Sequence, residues 1–94
     1  MFDTTKFRKV MDESGLTKAE LARLYGVSRQ SLYAWCDTAP RQHTLAERAE
    51  KYTAGLLAGM ARGLLPFSGG LTVAKRAMLL ASMAKHLHQL TAPK

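Results

Sequence analysis

A helix stop and a helix start fall within three residues of each other at Gly26-Val27-Ser28. Glycine takes the left-handed conformation that closes a helix, and serine is a natural N-cap whose hydroxyl accepts from a free N–H of the next first turn. Upstream, Thr17-Lys18-Ala19-Glu20 has the spacing of a capping box, in which the threonine hydroxyl and the glutamate carboxylate satisfy each other's backbone N–H groups. The chain between Lys18 and Asp37 is therefore expected to form two short helices joined by a tight turn, the first ending near Tyr25 and the second running from Ser28 to about Cys36. Spacing puts Leu21, Ala22 and Tyr25 inward on the first, and Val27, Leu32 and Trp35 inward from the turn and the second. A small residue at Ala22 suits helices that cross steeply, since a larger one would push them apart.

The rest of the chain extends this into an all-α fold of about five helices: an N-terminal helix-turn-helix bundle followed by a C-terminal helical hairpin. Apolar residues recur at spacings of three and four, and runs of alternating β-branched residues are missing. A first helix is expected from about Thr5 to Glu13, with Phe7, Val10 and Met11 inward and Ser14-Gly15 as its stop. Asp37–His43, with Thr38, Ala39 and Pro40, reads as a loop. A second capping box, Thr44-Leu45-Ala46-Glu47, opens a longer helix to about Leu64 with the stripe Leu45, Ala49, Tyr52, Leu56, Met60 and Leu64. Pro66-Phe67-Ser68-Gly69-Gly70 interrupts the pattern, and a final helix starts at or near Thr72 and runs to about Leu90. Residues 1–64 are thus read as a helix-turn-helix domain and 65–94 as a helical extension, with one continuous domain as the alternative.

The segment LTKAELARLYGVSRQSLYAW resembles the helix-turn-helix of the phage repressor and Cro family of lambda-repressor-like DNA-binding domains. Leu21, Ala22, Gly26, Val27, Ser28, Leu32 and Trp35 carry the resemblance. The flanking helix and the Pro40 loop extend the similarity of layout to about residues 4–60. What it implies is a chain that binds double-stranded DNA with the helix Ser28–Cys36 in the major groove, its N-terminal half toward base edges. On that implication Arg29 makes the paired contact to guanine, Gln30 the corresponding pair to adenine, and Ala34 meets a thymine methyl. Ser28 caps the helix within reach of phosphate, Lys18 contacts phosphate, and Tyr33 has the reach for either. Ala34 stands where the family commonly carries a longer polar side chain. His43, after the recognition helix, is a candidate for backbone phosphate, with a solvated loop residue as the equally plain alternative. A structural αα-corner with solvated Arg29 and Gln30 is the competing reading of the whole segment.

Composition fits this expectation without deciding it. Fourteen Lys and Arg against seven Asp and Glu give a net charge of +7, which suits phosphate neutralisation. Residues 1–43 carry seven basic and five acidic groups, however, and residues 44–94 seven and two, so most of the excess lies outside the motif. The single cysteine, Cys36, excludes an intramolecular disulfide and fits a reducing compartment. The start MFDTTKFRKV lacks a signal's apolar region and no stretch has the length of a spanning helix, so a cytoplasmic or nucleoid-associated protein away from membranes is expected.

The remaining features offer little chemistry. Cys36 has no activating neighbour at motif spacing. His86 and His88, two apart on a helix, point to different faces and cannot share a metal. Tyr25 and Trp35 fall on inward positions and are core residues rather than stacking platforms. Clustered carboxylates, metal-ligand spacing and a phosphate-cradling glycine loop are all missing, so no catalytic residue, metal, cofactor or small-molecule ligand is expected. Gly55, Gly59 and Gly63 form a stripe suited to close helix packing. The last helix carries Val73, Ala77, Leu80, Ala84 and Leu87 at coiled-coil spacing with Lys75, Arg76 and Lys85 beside them. A homodimer interface, a folded-back core helix and a membrane-surface helix compete for it. The leading expectation is a dimeric transcriptional regulator of the repressor type. A DNA-packaging subunit resembling a small terminase, and an inhibitor that binds protein on the same fold, are the alternatives.

Overall fold

The computed structural model describes residues 2–67 and 69–91, with the side chains of Leu90 and Thr91 outside the description. Among them are five helices and no strand: α1 (Thr4–Glu13), α2 (Lys18–Tyr25), α3 (Arg29–Trp35), α4 (His43–Ala61) and α5 (Val73–Thr91). The all-α expectation holds.

Local signals explain most boundaries. Asp3 caps α1, its Oδ1 accepting from the N–H groups of Thr5 (2.8 Å) and Lys6 (3.2 Å). The capping box at α2 is complete: Glu20 N–H donates to Thr17 Oγ1 at 3.1 Å and Thr17 N–H to Glu20 Oε1 at 2.8 Å. Gly26, at φ +71°, closes α2, and Val27 N–H reaches back to the Ala22 carbonyl at 3.0 Å. Ser28 then caps α3 through Ser31 N–H at 3.2 Å. Helix α5 starts as expected, with Thr72 Oγ1 accepting from Lys75 N–H at 3.1 Å.

Helix α4 departs from expectation at both ends. It starts at His43, with Gln42 as the N-cap residue and no side-chain cap. Gln42 already accepts the first helical bond, from Ala46 N–H at 2.9 Å, so Thr44 has helical backbone and cannot cap. Glu47 instead meets His43 Nε2 one turn back at 3.0 Å. The second capping box therefore does not form. At the other end the helix stops at Ala61 rather than Leu64. Gly63 takes φ +79°, and the bonds Gly63 N–H to Met60 O (3.1 Å) and Leu64 N–H to Gly59 O (2.9 Å) complete a Schellman closure. Leu64 is thereby turned out, 64% exposed, and Leu65 takes the buried place. Gly63 serves as a helix stop and not as part of a packing stripe. A Cβ on Gly59 would meet Leu65 Cδ1 at 3.8 Å, an ordinary contact, so close approach does not require glycine there either.

The core sits between α1, α2, α3 and α4. Phe7 is fully buried and meets Tyr25 edge-on at 5.5 Å between centroids and Trp35 at 5.8 Å. Tyr25 also packs on Trp35 and Tyr52. Its hydroxyl lies 2.7 Å from Thr53 Oγ1, which itself donates to the Ala49 carbonyl, so the phenol is satisfied although burial pushes its pKa upward. Tyr25 and Trp35 are core residues, as expected. Helix α5 folds back along α4 and touches α2. Leu87 enters the same core as Leu65, with Leu80, Met83 and Ala84 packed against it. The coiled-coil spacing is used only over its second half, since Val73 is 88% exposed and Ala77 also faces solvent. No helix among the described residues is long and apolar enough to cross a membrane.

Candidate nucleic-acid interface

Helix α3 is too short to be stable alone, and packing holds it. Leu32 is fully buried and Trp35 nearly so, which fixes the rotation of the helix about its axis. Arg29, Gln30, Tyr33 and Ala34 are all exposed, Tyr33 at 55%. At 100° per residue these four occupy an arc opposite the core. Arg29 makes no hydrogen bond or ion pair among the described residues. Ser28 adjoins them at the N-terminus, where its Oγ serves the cap and also lies 3.2 Å from Ser31 Oγ. Four of the seven expected site residues thus share one face of α3, with Ser28 at its N-terminus.

The other two lie apart from that helix. Lys18, at the first position of α2, is half-buried and donates from Nζ to the Met11 carbonyl near the end of α1, at 3.1 Å. An ammonium carries three donors, so two remain for another partner. His43 is not in a loop, as expected from sequence, but is the first residue of α4, exposed and paired with Glu47. The arc of α3 and these two residues belong to three different helices, Lys18 and His43 each at the start of its own.

Sequence reasoning missed how many cations hold the motif from behind. Arg8 on α1 donates from Nε to the Cys36 carbonyl at 2.8 Å and meets Asp37 at 3.1 Å, at the C-terminal end of α3. Arg48 on α4 donates to the Tyr25 carbonyl at 3.1 Å, at the end of α2. Arg76 on α5 reaches the Gly15 carbonyl at 2.9 Å, just past α1. With Lys18, each of the three short helices has a cation at its C-terminal end, where unpaired carbonyls concentrate partial negative charge. Nothing local in the sequence marks Arg8, Arg48 or Arg76, because their partners lie 28, 23 and 61 positions away.

Two other observations concern Cys36 and metal ligands. Burial pushes the Cys36 thiol up, away from thiolate, and its Sγ donates to the Leu32 carbonyl at 3.6 Å. Among the described residues no three His, Cys, Asp or Glu side chains are grouped to hold a metal. Compared with protein-family models, curated proteins and solved structures, the chain matches none.

Proposed function

We propose that this chain is a sequence-specific double-stranded DNA-binding protein, a small regulator of the repressor type that lays α3 in the major groove. The observation that carries the reading is the outward arc of α3, where Arg29, Gln30, Tyr33 and Ala34 stand exposed over a helix locked by Leu32 and Trp35. Arg29 and Gln30 have the donor and acceptor sets to read guanine and adenine, and Ala34 suits a thymine methyl. Lys18, with its two spare donors, Ser28 and His43 hold backbone phosphates around them. The adjacent exposed apolar residues Met78 and Leu79 on the first half of α5 support a homodimer that presents two copies of α3 to two half-sites. A cytoplasmic or nucleoid location follows from that role.

Selecting bound duplexes from a random pool tests the proposal, with a two-fold symmetric consensus as the expected result. Within it, Arg29→Ala should lose about 1–3 kcal/mol and relax preference at one base pair, whereas Lys18→Ala should weaken all duplexes and shallow the salt slope by about one. No enrichment from the pool, together with salt-independent behaviour, would replace DNA with a protein partner.

A further inference from the structure

The start of helix α5 is tied to the start of α2 by one polar side chain, Arg76. Arg76 Nε donates to Glu20 Oε2 at 2.6 Å and its Nη2 to Glu20 Oε1 at 2.8 Å, a two-pronged pairing that only guanidinium offers. The same Nη2 reaches the Gly15 carbonyl in the α1–α2 connection, and the guanidinium lies over the Phe67 ring at 5.3 Å. Both partners are sheltered, with side-chain exposures of 29% for Arg76 and 13% for Glu20. Glu20 is also half of the capping box that starts α2, so one carboxylate serves Thr17, Arg76 and the entry angle of the helix together.

Apolar packing on either side of this tie comes from the Pro66-Phe67 segment and from the second half of α5. Within α5, Val73 and Ala77 face solvent, and the residues packed on the core begin at Leu80. The start of α5 and the start of α2 therefore hold each other through charge, while α2 passes its orientation to α3 through the Gly26-Val27 turn.

We propose that Arg76 is a positioning residue for the DNA-reading motif: through Glu20 and the Gly15 carbonyl, α5 sets the attitude of α2 and hence of α3. The inference rests on the DNA-binding reading for its consequence, though not for its geometry. Helix α5 on this view sets how sharply α3 discriminates bases, and Arg76 itself does not touch DNA.

The full-length chain and its Arg76→Ala, Arg76→Lys and Glu20→Gln variants test this in two ways. Hydrogen exchange without DNA should show amides of α2 and α3 exchanging about tenfold faster in Arg76→Ala, with a clearly smaller rise in α1 and the middle of α4. With the duplex selected by the wild-type chain, the ratio of specific to random-duplex affinity should fall about tenfold in all three variants, while random-duplex affinity moves less than about twofold. Glu20→Gln keeps an oxygen for the cap and removes no positive charge, so it separates positioning from phosphate contact. Arg76→Lys keeps the charge without the fork, and rescue by lysine would overturn the fork's role. Unchanged exchange and an unchanged ratio would overturn the inference, as would a uniform rise in exchange throughout the chain. Should the wild-type chain show no duplex preference, the DNA reading fails and the exchange pattern alone decides positioning: a rise that is largest in α2 and α3 supports it.

Discussion

Gly15 and Gly63 share a backbone conformation, at φ +75° and +79°, and differ in what surrounds them. A Cβ on Gly63 would meet nothing within 4 Å, so Gly63→Ala costs only the left-handed backbone, about 1 kcal/mol. A Cβ on Gly15 would stand 2.4 Å from Pro66 Cβ and 3.2 Å from its Cα. That overlap involves a ring and a backbone atom, neither of which can rotate away. Gly15→Ala must therefore separate the α1–α2 connection from the segment leading to α5, at about 3 kcal/mol or more with the backbone term included. Urea unfolding of the two variants side by side checks the ranking. Equal midpoints would mean that the Pro66 segment yields freely and is not part of the packed structure.

Among the elements, α2 depends most on a distant partner. The Arg76 guanidinium holds the Glu20 carboxyl down to about 2, against burial that alone would raise it, and the Thr17 N–H adds to the lowering. A carboxylate depressed on folding stabilises the folded state above its ordinary value of 4.5, and that contribution disappears as pH falls from 4.5 toward 2. Arg76→Ala removes the largest cause, so it should lower stability at pH 6 and flatten the fall between pH 4.5 and 2. Urea unfolding at pH 6 and pH 3 measures both effects. Parallel pH curves for the variant and the wild-type chain would assign the acid sensitivity to another group.

What could be read from sequence at this scale follows how local each determinant is. The starts of α2 and α3 were legible because Thr17, Glu20, Gly26 and Ser28 act on backbone within a turn of themselves. The outward arc of α3 was legible because Leu32 and Trp35 fix its inner side by spacing alone. Thr44 has the same motif chemistry as Thr17 and does not cap, because the chain already enters helical geometry at His43. Gly63 looked like one of three packing glycines because a glycine stripe and a helix stop share one signature, and only the bonds to Met60 and Gly59 separate them. Arg8, Arg48 and Arg76 were illegible as clamps because a backbone carbonyl carries no sequence label.

At the scale of the molecule, the distribution of cations sets how strongly salt should weaken DNA binding. The net charge of +7 already counts Arg8 and Arg76 against Asp37 and Glu20, and it still overstates what one chain can offer phosphates, because Arg48 is turned to a carbonyl and Lys18 is so in part. If about three phosphates are neutralised per chain, a monomer gives a slope of log K against log salt near −3 and a dimer one near −6. Dimerisation itself is expected through the first half of α5, where Met78 is 70% exposed and lies on the side of the helix away from Leu80 and Leu87. Met78→Glu should leave folding intact, since it adds charge to a solvated position, while lowering the solution mass from twice 10.4 kDa to that value. The salt slope on a two-half-site duplex should then fall by about half, with single half-site binding retained. Sedimentation and salt titration of the same samples link the two readouts. A dimer whose mass resists Met78→Glu pairs through another surface, and a wild-type assembly of eight or nine chains would favour a packaging ring over a repressor, because a ring presents its motifs around a circle instead of to two half-sites on one face of the duplex.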